Sequence, residues 1–255
     1  MATETETLDP ATKPAKRAGG GFPVMYSGVL PISNEAHRSH RITMNNQALA
    51  KASTIHLIPA VIDEFGPAAP YLPIMFVPTV AGPSPVFVCS LASGRNAFVS
   101  DDGRWTRGYV PAYLRRYPFI LGNTDAEDPI LCIDSGFEDF TDGDDGQLLF
   151  NEDGGQSDYL QGIIRLSSDY ALSARRTEEA MKRVADLDLL RTVGIEGRNA
   201  EGGKVSLQGM AGIDFQRLEA LSDQEYLSLR EGGLLEALYA HRVSMSSLGA
   251  LQAGA

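Results

Sequence analysis

Apolar residues along this chain follow two rhythms. From Met25 to about Phe150 they come in short runs separated by glycine, proline and polar turn residues, the pattern of strands in a meander. The segments MYSGVLPIS, STIHLIPAV, YLPIMFV, PVFVCSLA, NAFVS, ILCID and QLLF each predict a strand, and VIDEFGPAA reads as a short helical turn. AGPS is the expected turn between YLPIMFV and PVFVCSLA, with SGRN and DDGR flanking NAFVS.

After Phe150 the spacing lengthens. Leu160, Ile163, Ile164, Tyr170, Ala171, Ala174, Met181 and Val184 fall near one stripe at helical spacing, which predicts a helix from about Asp158 to Leu187. Ser157 is its expected N-cap, and Arg175, Arg176, Glu178, Glu179, Lys182 and Arg183 cover the other faces. RTVGIEG and KVSLQGM predict a hairpin closed by RNAEGG. SDQE at Ser222–Glu225 is a capping box, Gly232 and Gly233 break the helix it starts, and LLEALYAHRVSMSSL predicts a last amphipathic helix. The expected fold class is α+β, a strand-rich N-terminal half packed on a helical C-terminal half. Residues 22–251 form one expected domain, strand-rich over 22–150 and mainly helical over 151–251, behind a disordered polar tail at 1–21.

Charge changes the range of functions. With 22 Lys and Arg against 33 Asp and Glu, the formal net charge is −11, which disfavours polyphosphates and anionic lipid. The uncharged stretch between Glu64 and Arg95 is long enough to span a bilayer, but Pro67, Pro70, Pro73, Pro78, Pro83 and Pro85 interrupt it, and each interior proline costs a helix ~3 kcal/mol. No membrane span is expected, and with no apolar signal segment the expected location is the cytoplasm. Cys89 and Cys132 lie in apolar runs without metal spacing and are expected as buried thiols.

Candidate chemistry is sparse. The acidic loops FEDFTDGDDG and NEDGG do not place glycine and glutamate where a calcium loop needs them: from Asp142 the sixth position is Gln147, and from Asn151 the twelfth is Gly162. His37 and His40, three apart in NEAHRSHR, are spaced to face one metal or to work as an acid–base pair, against the plainer reading of a surface helical turn. No GxSxG or SxxK motif is present, and GRNAEGGKV departs from a phosphate-binding loop in the place of its lysine and in its missing hydroxyl residue. No dinucleotide fingerprint appears, and nothing here asks for a cofactor.

The segment RWTRGYVPAYLRRYPF holds the only tryptophan, four arginines, three tyrosines and no acid. Directly after it, from Tyr117 to Ile164, there is no Lys or Arg but twelve acids. Pro111 suits the first turn of a helix that Pro118 ends after about two turns, with Tyr113 and Tyr117 on one face and Arg115 and Arg116 pointing elsewhere. Three readings compete. As scaffold, its aromatics pack under a sheet and its arginines pair with acids such as Asp134 or Asp139. As a recognition patch for a protein or an anionic ligand, Arg104, Trp105, Arg107, Tyr109, Arg115, Arg116 and Tyr117 are the binding residues. A single-stranded nucleic-acid platform is the least favoured, because the aromatics sit on a helix beside an acidic run.

These residues carry a resemblance. Phe98, Val99, Gly103, Trp105, Tyr109, Val110, Pro111, Ala112, Arg115, Arg116, Tyr117, Pro118 and Phe119, followed by CID at Cys132–Asp134, match the hallmark of the SapC family, with Ser100 in place of its usual Asp. PISNEAHRSHRI, LLFNEDGGQSDYLQGII and LYAHRVSMSSLGAL are similar to further family segments, so the likeness runs from about Phe22 to Leu251. The family is a bacterial group associated by name with a surface layer and distinct from the peptide-transporter permease of the same name. The resemblance implies an accessory role in uptake or surface assembly. The leading expectation is a soluble, non-enzymatic accessory or binding protein with a protein partner in a cell-envelope or TonB-dependent uptake system. The net charge argues against nucleic acid. The alternative is a metal-dependent enzyme using His37 and His40.

Overall fold

A computed structural model describes residues 22–44, 47–122, 129–198 and 203–253. The tail over 1–21 and the tip of the RNAEGG loop, 199–202, lie outside the described residues. The chain opens with β1 (Val29–Pro31), α1 (Asn34–His37), β2 (Arg41–Ile42) and α2 (Gln47–Ala50), which tightens into a 3-10 turn at Lys51–Thr54. Next come β3 (Leu57–Pro59), a 3-10 turn at Ile62–Glu64, α3 (Phe65–Ala68), and the hairpin of β4 (Ile74–Thr79) and β5 (Gly82–Val88). After α4 (Ala112–Arg115) follow β6 (Phe119–Gly122), β7 (Ile130–Asp134), β8 (Phe140–Thr141) and β9 (Gln147–Leu148). The long α5 (Asp158–Asp186) precedes a second hairpin, β10 (Leu190–Arg198) and β11 (Lys204–Ile213). Helices α6 (Phe215–Glu219), α7 (Asp223–Glu231), α8 (Leu234–Ser244) and α9 (Gly249–Ala253) close the chain.

The fold is α+β, with most strands in the first half and most helix in the second. Among the described residues three antiparallel sheets form, ordered β1-β7-β6, β10-β11-β4-β5-β3 and β8-β2-β9. The strands of the five-stranded sheet are far apart in the chain. Its C-terminal hairpin adds to β4 through Ala211 opposite Phe76, a pairing that no local pattern announces.

Two expected elements differ. The first hairpin turns at Val80–Ala81, one step before AGPS, so that Gly82 pairs with Thr79 and Pro83 with Pro78. The Thr79 hydroxyl donates to the Gly82 carbonyl (2.6 Å) and accepts from the Ala81 amide (3.2 Å), which closes the tip. NAFVS forms no strand. The Asn96 side chain takes the Phe98 amide (2.9 Å) that a ladder would have used, leaving Val99 a single bridge to Trp105.

The helical half follows its sequence signals closely. Ser157 caps α5 by accepting from the Leu160 amide, and Ser222 and Glu225 form the capping box of α7. Gly233, at φ +70°, begins α8 in the left-handed region that favours glycine. Helix α5 is about 44 Å long at 1.5 Å per residue and serves two cores. Its Leu160 enters a smaller cluster with Ile42, Phe119, Ile133 and Leu149, while Met181 and Val184 enter the main core with Phe65, Phe76 and Phe87. Between them the buried face carries hydroxyls as well as apolar groups: Thr177 accepts from the Ile62 amide (2.8 Å) and donates to the Ser173 carbonyl.

Candidate functional site

The arginine–aromatic segment is folded by its own neighbours before it meets anything distant. Asn96, 3% exposed, donates to the Ala52 carbonyl (3.1 Å) and pins the preceding loop to the turn after α2. The chain then reverses at Ser100–Gly103, where the Gly103 amide donates to the Ser100 carbonyl (2.8 Å) and Gly103 takes φ +78°. Trp105 packs edge-on to Phe98 and donates its indole N–H to the Tyr109 carbonyl (2.7 Å). Pro111 caps α4, which lasts a single turn where two were expected, because the chain turns at Arg116–Phe119 to enter β6.

Glu64 lies under that helix start. Its buried carboxylate accepts from the Ala112 amide (2.6 Å) and the Tyr109 hydroxyl (2.9 Å), satisfying one of the amides a helix N-terminus leaves unpaired. Burial is the largest influence on Glu64 and raises its pKa, opposed by these hydrogen bonds and the charge of Arg115. Burial, followed by the charge and hydrogen bond of Glu64, pushes the Tyr109 hydroxyl up to about 12.

The arginines do not pair with Asp134, contrary to the scaffold expectation. Asp134, at the end of β7, has a fully buried side chain whose salt-bridge partner is Lys51 (2.7 Å). Tyr117 donates to it as well (2.7 Å), and the amides of Ser27 (2.8 Å), Gly28 (3.3 Å) and Gly136 (3.2 Å) complete the shell. Burial alone pushes this carboxyl up, but the bonds from Lys51, Tyr117, Ser27 and Gly136 outweigh it and hold its pKa below the ordinary Asp value. Lys51 sends its other donors to the Tyr117 hydroxyl (3.1 Å) and to Ser27 Oγ (3.3 Å). The cluster thus ties the 3-10 turn after α2 and the segment before β1 to the end of β7.

Arg116 takes a different solution. It is 7% exposed, with its guanidinium over the rings of Tyr170 (4.3 Å), Tyr113 (4.6 Å) and Tyr26 (5.8 Å). Its Nε has no hydrogen-bond partner, and no carboxylate forms a salt bridge with it among the described residues. The box is held from outside: Tyr26 donates to the Phe119 carbonyl (2.7 Å) and Tyr113 to the Val24 carbonyl (2.6 Å). The attraction of ring faces for a desolvated cation stands where a carboxylate was expected.

Of the remaining arginines, Arg104 and Arg115 are exposed and Arg107 is half-buried. Arg104 pairs with Asp102 on its own turn, and Arg104 and Ser100 together hold the Asp102 pKa down to about 2. Arg107 lies over Phe98 (4.5 Å), and exposed Arg115 bonds the Val110 carbonyl (3.1 Å) beside the Tyr109 ring. Tyr71, 42% exposed, lies so close to Gly108 that a Cβ there would sit 2.5 Å from its ring. Tyr71 against Gly108, and Arg115 over the adjacent Tyr109, thus give this segment an aromatic–cationic face. Of the seven residues predicted to bind, Arg104 and Arg115 are exposed, Trp105, Arg107 and Tyr109 are half-buried, and Arg116 and Tyr117 are interior.

The histidine pair does come together. The rings of His37 and His40 meet at 5.1 Å between centroids, and both pack on Phe140. His37 Nδ1 stays near the Ser33 backbone, and burial, then the charge of His40, lowers its pKa. Among the described residues no three His, Cys, Asp or Glu side chains are grouped to hold a metal ion. Cys89 and Cys132 are free and buried, and burial raises both thiol pKa values. Among the described residues no helix is long and apolar enough to cross a membrane.

Lys51, Ser27, Glu64 and Tyr71 escaped sequence reasoning. Lys51 stands 83 residues from Asp134, with no periodicity to connect them. The family model SapC matches residues 32–251, most of the chain. No curated protein and no solved structure matches.

Proposed function

This chain belongs to the SapC family, and we propose that it acts as a soluble, non-catalytic accessory protein of a bacterial cell-envelope or TonB-dependent uptake system, binding a protein partner from the cytoplasmic side. The observation that carries this reading is the division of labour within the family's hallmark segment. Its inward side chains, Arg116 and Tyr117, are consumed by the tyrosine box and by Asp134, while Arg115 stays exposed over the Tyr109 ring, with exposed Tyr71 against Gly108 of the same segment. Tyrosine and arginine are, with tryptophan, the side chains enriched among interface anchors, each bringing a large flat contact area. The internal staples at Asn96, Trp105 and Glu64 hold this surface in shape before binding, which lowers the ordering cost on association.

The test is affinity capture of the tagged chain from its native host, compared with a Tyr71→Ala/Arg115→Glu double variant that melts at the same temperature. The expected result is a stoichiometric envelope or uptake component with the wild type, reduced at least about tenfold with the variant, as for the loss of anchor residues. Recovery of chaperones alone, or of the same proteins with both chains, overturns the reading.

A further inference from the structure

The tyrosine box answers the charge of Arg116 and leaves its hydrogen bonds unmade. The side chain is interior, at 7% exposure, yet none of its N–H donors bonds a protein group among the described residues. Its Nε is sealed from solvent without a partner. The two terminal nitrogens are neither sealed nor bonded, so they are where the guanidinium keeps contact with water. We propose that these terminal N–H groups form the floor of a binding site for a monocarboxylate with an apolar or aromatic stem. The site uses no residue of the Tyr71 and Arg115 face and does not rest on the partner reading.

A ring face offsets the charge of a guanidinium, whereas its N–H groups fork onto a carboxylate through two parallel bonds. That fork needs nitrogens fixed in advance, and here they are. The backbone of Arg116 is held on both sides, its amide donating to the Ala112 carbonyl (3.0 Å) and its carbonyl accepting from the Phe119 amide (2.7 Å). Tyr26 and Tyr113 are pinned by the Phe119 and Val24 carbonyls, so the rings around the cation are fixed as well. Donors ordered before the ligand arrives cost little further entropy when it binds. A second donor without an acceptor, the Ser167 hydroxyl at 2% exposure, lies one turn before Tyr170 on the same face of α5.

Charge decides the class of anion. One guanidinium balances one negative charge, which a carboxylate supplies. A phosphate brings roughly two at neutral pH, and the surplus would meet the electron-rich faces of the rings. The stem has somewhere to lie: Val24, whose carbonyl takes the Tyr113 hydroxyl, is 43% exposed, and Tyr170 is half-buried.

Calorimetric titration of the full chain with hexanoate and with benzoate tests the site. At least one of them binds one-to-one with a Kd of about 1 mM or tighter. Hexanamide and benzamide keep the stems and lose the charge, and they bind the same wild-type chain at least about tenfold more weakly. Arg116→Met, checked by its melting curve to be folded, loses the carboxylate to the same extent, and inorganic phosphate binds the wild type at least about tenfold more weakly than the carboxylate does. Because the amides read the charge on the wild type itself, a variant that failed to fold would still leave a decisive comparison. No binding of either carboxylate, equal binding of the amides, or unchanged binding in a folded Arg116→Met overturns the proposal, and phosphate binding as tightly as the carboxylate overturns the class of ligand.

Discussion

Asp134 and Arg116 are both buried charges in the same hallmark region, and the molecule handles them in opposite ways. Around Asp134 every lone pair is answered by a donor, one of them a lysine. Around Arg116 the protein offers ring faces and leaves Nε without a partner. An anion needs directed donors, because no side chain presents a positive surface without hydrogen on it. A guanidinium is flat, weakly hydrated and polarisable enough to be held by stacked tyrosines alone. One charge is fixed by a shell of specific bonds, the other by the shape of a box.

The largest effect separating the two solutions is expected from Asp134→Ala. It orphans the Tyr117 hydroxyl, the Ser27 and Gly136 amides and the lysine at once, and breaking such a buried pair costs about 3–5 kcal/mol. Urea unfolding measures it, and a loss below about 1 kcal/mol breaks the contrast.

A third buried polar side chain sharpens the comparison through pH. His241 on α8 is 3% exposed, stacks on Phe76 at 5.2 Å and has no hydrogen-bond partner on either ring nitrogen. Burial, aided by the charge of Arg191, lowers its pKa to about 4. The unfolded chain therefore takes up this proton near pH 6.5 while the folded chain refuses it until about pH 4. Stability falls across that interval by about 3 kcal/mol as pH drops. His241→Leu should remove this slope in unfolding curves measured across the same range. The raised pKa of Glu64 acts with the opposite sign, since its buried charge is relieved by acid, and it is common to both chains. Asp134, whose pKa is depressed, gives up its contribution only below its ordinary value of 3.8. An unaltered slope in the variant refutes the assignment to His241.

Arg116→Met is expected to give the smallest change, about 1 kcal/mol, because the lost cation–π attraction is offset by no longer dehydrating a cation, and no carboxylate is left unpaired. A loss as large as that of Asp134→Ala would show that the box conceals an ionic partner.

Much of this architecture was legible in the chain. Ser157, the Ser222–Glu225 box and Gly233 punctuate the helices by local chemistry, so the helical half reads directly. The hallmark segment was recognisable as a unit, yet its partners were not. Tyr170 reaches Arg116 from the middle of α5, and Lys51 reaches Asp134 across 83 residues, so complementarity of charge alone pointed the arginines to Asp134, which a lysine takes instead. NAFVS failed for a related reason, since one asparagine side chain competed successfully with the ladder.

The pairing of Ala211 with Phe76 has a consequence for the nascent chain. Strand β4 emerges from the ribosome early, with Ile74, Met75 and Phe76 ready to pair, but its neighbour on one side is not complete until Ile213 has been made. Through that interval the apolar edge is an open template for another polypeptide, so slowed translation between the two hairpins should favour inclusion bodies over folded product.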